Sequence, residues 1–243
     1  MVLLETHMAS TSYLLKLFNC FVIGFLFYTP LNSYSQNSIE AFKKDSLSTI
    51  LPEVSPLKNK IIPSQFDTIV KIAFLYFPEL EKVSIKIQVK NQASPLNARP
   101  NIFALFRKAA KRKYIITISN DTNSKFSSIL LSNLSFNSQI GVIGHELSHI
   151  SDYNQRNGLF CCKLMLMHLS KKTMDRFEYN TDMLCIKHGL GYQLLSWSKE
   201  VRVKLNLTQW KGIKRLNQQG RERYMNPGSI VSAMAKIKIY NKN

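Results

Sequence analysis

Between Ser138 and about Asn154 the chain carries two opposed stripes on one helical period, and this stretch constrains the fold more than any other. Ile143, Leu147 and Ile150 recur at i, i+4 and i+7, so a helix here has an apolar side that must be buried. Val142, His145, Glu146, His149 and Asp152 fall on the other side. Residues four apart share a helix face, so His145 and His149 can direct two imidazoles at one point. Such a helix belongs between a core and a cleft, with Asn137 as its expected N-cap.

Two imidazoles at i and i+4 around a glutamate form a zinc-binding pattern. Neutral histidine nitrogens suit zinc, and Glu146, beside the ligand face, can take a proton from a metal-bound water without being a ligand. With so few histidines, chance would produce His-Glu-x-x-His in roughly one such chain in a few hundred. A catalytic zinc usually takes three protein ligands and leaves one position for water. Gln155 and Asp152 stand where a metzincin would have His and Gly, which excludes that class. Farther along, Glu178 and Asp182 lie at i, i+4 on the next expected helix, about Thr173 to His188 and closed by Gly189. One of these carboxylates can bind the metal while the other accepts the N–H of a ligating imidazole.

The rest of the chain reads as a small α+β domain behind a leader. Residues 13–28 are an apolar run interrupted by Lys16 and Asn19, short for a spanning helix. Followed by Ser33-Tyr34-Ser35, the run over residues 1–35 is expected to be a signal peptide cleaved before Gln36, or else a membrane anchor. Either leaves the remainder exported, periplasmic or held at the membrane outside the cytoplasm. Residues 36–63, with Pro52, Pro56 and Pro63, read as a linker, and 64–243 as the folded domain. Within it, Phe66 to Phe74 has helical spacing ended by Pro78. Val83 to Val89 alternates as a strand, Ser94 to Asn101 reads as a loop, and Tyr114 to Ser119 is a second strand. Val201 to Leu216 reads as helical, with Pro227-Gly228 breaking the chain before a last short helix. Of four cysteines, Cys161, Cys162 and Cys185 lie beyond the leader; an odd set cannot pair fully, and adjacent Cys161 and Cys162 lack metal-ligand spacing. The net charge of +18 favours anionic partners. The partner this allows is an anionic membrane surface, the alternative being a solvated basic surface that aids solubility; without an Arg-rich tract or nucleic-acid motif, nucleic acid is not expected.

Gly-Val-Ile-Gly-His-Glu-Leu-Ser-His-Ile at 141–150, together with Phe-Glu-Tyr-Asn-Thr-Asp at 177–182 and the later Gly-Leu-Gly, resembles the gluzincin zinc metallopeptidases, in their HtpX-like and minigluzincin branch. The likeness spans roughly residues 64–192. It implies a minimal zincin fold with a backing helix, a small sheet, the His-Glu-x-x-His helix and a glutamate helix. It also implies one Zn2+ per chain on His145, His149 and Glu178, with Glu146 as general base and Asp182 supporting a ligand. The strand at Tyr114 to Ser119 would be the sheet edge along which an extended peptide adds as a strand. Thr181 stands where such proteins often have Ala. The large membrane segments of the HtpX proteins have no counterpart, and Leu159 to Leu169 is too short to span a bilayer.

The expected function is therefore peptide-bond hydrolysis by zinc-activated water, on a peptide or protein substrate. A non-catalytic zinc or peptide-binding module, or a basic envelope-associated binding protein, is the alternative. The group that polarises the scissile carbonyl is left open among His188, Tyr192, Arg223 and Tyr224.

Overall fold

Short runs of β-branched residues with period two supply the sheet. The computed structural model describes residues 38–46, 57–101, 107, 111–121, 126–157, 170–207 and 223–241. In it β1 (Lys60–Ile61), β2 (Ser84–Val89), β3 (Leu96–Pro100) and β4 (Lys113–Ile118) form one sheet in the order β1-β2-β4-β3. The first three of that order run parallel, and β3 lies antiparallel on β4. Ile85 and Ile87 of β2 and Tyr114, Ile116 and Ile118 of β4 are buried on the inner face, while Lys86 and Lys113 alternate to solvent.

Two expectations change here. Leu96–Pro100, expected to be loop, is a strand. Its Asn and Pro suit an edge, where only one side of the backbone pairs and Pro100 at the strand end withholds no ladder bond. As a result β4 is interior, and the open edge belongs to β3, not to Tyr114–Ser119.

Helices cover the inner face. α1 (Asp67–Leu75) connects β1 to β2, burying Ile69, Val70, Ile72, Ala73 and Phe74. α2 (Phe136–Gln155) lies centrally, against α1, α3 (Lys171–Cys185), α4 (Gly191–Lys204) and β3. Ile140, Ile143, Leu147 and Ile150 of α2 are fully buried. Gly141 permits the approach of α4: a Cβ there would stand 2.3 Å from the Gln193 carbonyl oxygen, on backbone that cannot yield. α3 and α4 join through one widened turn, Ile186–Leu190, in which Gly189 adopts φ 100°, a value that favours glycine. α4 starts sooner than expected and ends at Lys204, with Asn206 left-handed behind it; the remainder of the helix expected to Leu216 lies outside the described residues. α5 (Pro227–Met234) begins at the proline, because a first-turn residue needs no N–H, and the Asn226 side chain accepts from Ser229 N–H at 2.9 Å.

The N-cap of α2 is Ser135, not Asn137. Asn137 instead accepts from Phe42 N–H (2.8 Å) and donates to Phe42 O (3.2 Å). Ser38 Oγ donates to Ile239 O, Gln193 Nε2 donates to Ile39 O, and Phe42 is buried in the core. The 36–63 stretch is thus not linker throughout: Ser38, Ile39 and Phe42 are tied to the domain by polar contacts that residue composition does not reveal. Residues 13–28 and 159–169, with Cys161 and Cys162, lie outside the described residues. Cys185 is a buried free thiol, its pKa raised by burial and the nearby Asp182 charge. Among the described residues, no helix is long and apolar enough to cross a membrane.

Candidate metal centre

The polar side of α2 meets α3 along one seam, and there the acids and imidazoles converge. His145, Glu146 and His149 are buried to 3%, 6% and 6% exposure although all three are polar. Glu178 projects from α3 so that Oε2 lies 3.2 Å from Nε2 of both His145 and His149. The ligating atoms of the three residues fall within 4.8 Å of one another. Glu178 Oε2 is buried and has no well-formed hydrogen bond. An orphaned carboxylate oxygen facing two imidazole nitrogens is the donor set of a metal site. The residues present therefore fit a metal ion.

Each imidazole is held from behind. His145 Nδ1 lies 2.8 Å from Asp182 Oδ1, and Asp182 Oδ2 accepts from Met225 N–H at 2.7 Å. Asp182 is one turn beyond Glu178 and fully buried, so both oxygens are spent on fixing neighbours. His149 Nδ1 is 3.2 Å from Thr181 Oγ1, which donates to the Phe177 carbonyl and so can only accept from the ring. In both rings this sets the proton on Nδ1 and turns Nε2 toward Glu178. The ring of His149 stacks between Tyr153 (5.9 Å) and Phe177 (5.0 Å), and that of His145 meets Trp197 (5.8 Å) and Tyr224 (5.7 Å).

These surroundings shift the titrations. Burial works against a charged His145, but Asp182 and Glu178 outweigh it and hold its pKa well above the usual histidine range. Burial likewise opposes the Glu178 anion, and the two histidines reverse that, leaving its carboxyl far below the ordinary range. Glu146 goes the other way: desolvation raises its pKa despite His149 and His145 nearby. Its Oε2 is buried without a hydrogen bond, and the Ala98 backbone amide lies against the carboxylate. Ala98 sits mid-strand in β3. Ser119 N–H donates to Pro95 O and Asn101 N–H donates to Lys113 O, so by antiparallel alternation the backbone groups of Leu96 and Ala98 point away from β4, to the open edge.

The four residues left open separate cleanly. His188 is engaged elsewhere: Nε2 lies 2.9 Å from Glu79 Oε1, Nδ1 lies 2.9 Å from Leu184 O, and the ring stacks on Phe77 at 4.2 Å. Glu79 Oε1 also accepts from Ser151 Oγ at 2.6 Å. Tyr192 packs edge-on against Tyr240. Arg223 and Tyr224 remain at the metal centre, on a segment pinned on both sides, by Arg223 Nε donating to Asp175 Oδ1 (2.8 Å) and by Met225 N–H on Asp182. Burial and the Glu178, Glu146 and Asp182 charges push the Tyr224 hydroxyl pKa far upward, so it stays protonated. Asp152 pairs with Arg156 and Asp175 with Arg223, which leaves neither in the donor set.

The sequence alone assigns Thr181 no role at the site and gives no sign of Met225. Thr181 carried a usable signal, standing three residues beyond Glu178 on the same helix; a backbone amide such as that of Met225 carries none. No protein-family model matches the chain, and no curated protein or solved structure matches it either.

Proposed function

We propose that this chain is a zinc metallopeptidase with the gluzincin arrangement of ligands. One observation carries the proposal: a carboxylate from a second helix reaches both imidazoles of His145-Glu146-Leu147-Ser148-His149, while the acid one turn later takes the back of His145. A purely structural cluster would have no use for a buried Glu146 whose Oε2 lacks a hydrogen bond beside it. When bound, zinc supplies Lewis acidity toward a carbonyl oxygen and a nucleophilic water at neutral pH.

The chain's own groups account for the rest of the chemistry. Glu146, with its pKa raised by burial, is a stronger base than an exposed carboxylate, suited to take a proton from the attacking water and return it to the leaving amine. The open edge of β3, whose Ala98 amide faces Glu146, offers an extended peptide a strand to pair with beside that base. Tyr224, protonated and beside His145, is the hydroxyl that can donate to the carbonyl oxygen as charge builds on it. The aromatic walls of Phe177, Tyr153 and Trp197 limit water around the imidazoles.

The test pairs metal content with turnover. Wild type and Glu146→Gln should both bind one zinc per chain, and cleavage of an unstructured protein mixture should fall by about 10²–10⁴-fold in the variant, the usual worth of a general base. Wild type without zinc, or a variant retaining more than about a tenth of the rate, would overturn the reading.

A further inference from the structure

The sheet turns one face to the helices, and among the described strand residues its other face carries no acid. None of the four strands, Lys60–Ile61, Ser84–Val89, Leu96–Pro100 and Lys113–Ile118, contains Asp or Glu. The register sets the outward residues in rows. Ile61 lies opposite Lys86, Lys86 opposite Ile115, and Ile115 opposite Arg99, so one row crosses all four strands as apolar, cation, apolar, cation. Neighbouring strands are about 4.8 Å apart, which makes the row roughly 14 Å long. The row on one side adds Lys113 opposite Ser84; the row on the other, Gln88, Thr117 and Asn97, is neutral. Lys86, Arg99 and Lys113 are exposed, Ile115 is half-buried, and Ile61 is 62% exposed.

We infer that this outer sheet face docks on an anionic lipid bilayer. Lysine and arginine lay their aliphatic stems along an apolar surface and keep the charge at headgroup level, while isoleucines between them enter the acyl boundary. That alternation fits a surface that is charged above and apolar below. A nucleic acid fits it less well: the three rows hold no aromatic side chain on which a base could stack, and two isoleucines interrupt the cations that would meet phosphates. The face is separate from the imidazole cluster and the inference stands on the sheet alone, independent of any peptidase activity.

Partition of the full chain into vesicles of phosphatidylcholine, with and without a third of phosphatidylglycerol, tests this at about 0.1 M salt. Residues 13–28 are identical in every variant, so the change in the ratio between the two vesicles from one variant to the next reads the sheet face. Three cations near an anionic surface should make that ratio on the order of 100-fold. The triple variant K86Q/R99Q/K113Q should lose most of it. K171Q/K172Q/K236Q, which removes equal charge from exposed positions elsewhere, should keep it. Ile61→Ser leaves every charge in place and should weaken binding to the anionic vesicles several-fold while leaving binding to a duplex oligonucleotide unchanged. Equal losses in the two triple variants would overturn the proposal in favour of diffuse charge. An unaltered Ile61→Ser, with the oligonucleotide bound more tightly than the vesicles, would overturn it in favour of a nucleic-acid surface.

Discussion

Glu178 and Asp182 occupy neighbouring turns of one helix and should fail in different ways. Glu178 Oε2 is the third donor, and without it two imidazoles remain; Glu178→Ala should therefore abolish stable zinc binding. Asp182 touches the back of His145 and the Met225 amide, and Asp182→Ala should weaken zinc by roughly 10–100-fold, the common cost of losing such a partner. Titration against a competing chelator measures both, with circular dichroism to check folding; wild-type affinity in Glu178→Ala would remove this donor set. The i, i+4 spacing made His145, His149, Glu178 and Asp182 legible as candidates, because the contacts that matter within each pair are local to one helix. Which acid faces the two imidazoles is a matter of how two helices cross, and spacing alone leaves that open. Thr181 was undervalued because its role depends on a ring from another helix.

At the scale of elements, α2 has to satisfy two neighbours at once. It offers His145 and His149 to α3 while Gly141 lets the α4 backbone come close. Gly141→Ala should cost about 1–3 kcal/mol of stability, the range for overpacking a tight contact, seen as a lower midpoint in urea; an unchanged midpoint would mean that α4 can retreat without loss. The long helices and two of the strands were legible because their periodicity is strong. β3 was not: Leu-Asn-Ala-Arg-Pro has neither alternation nor β-branched residues, and only its partner β4 makes it a strand. Helix ends likewise escaped where a tertiary contact decided them, as when Glu200 receives the Ser135 N–H at the start of α2.

Across the whole molecule, Glu79 joins three elements: it follows α1, accepts from Ser151 of α2, and meets His188 in the turn between α3 and α4. Burial opposes its charge, but the hydrogen bond and charge of His188, helped by Ser151, hold its pKa below the usual value. A carboxyl depressed in the folded state stabilises above its unfolded pKa, about 4.3, and that stability is lost as pH falls through the folded value. Glu79→Gln should therefore lower the melting temperature clearly at pH 7 and by much less near pH 3; an equal difference at both would show that the contact acts through shape rather than charge. The Met225 amide that steadies Asp182 also places the chain's metal affinity in time. Its contribution comes from a residue 43 positions after Asp182, so a growing polypeptide that has emerged only as far as Asp182 holds every donor and lacks the brace behind one of them. If the cluster takes an ion, full-strength capture waits until Met225 has arrived behind donors that are already in place.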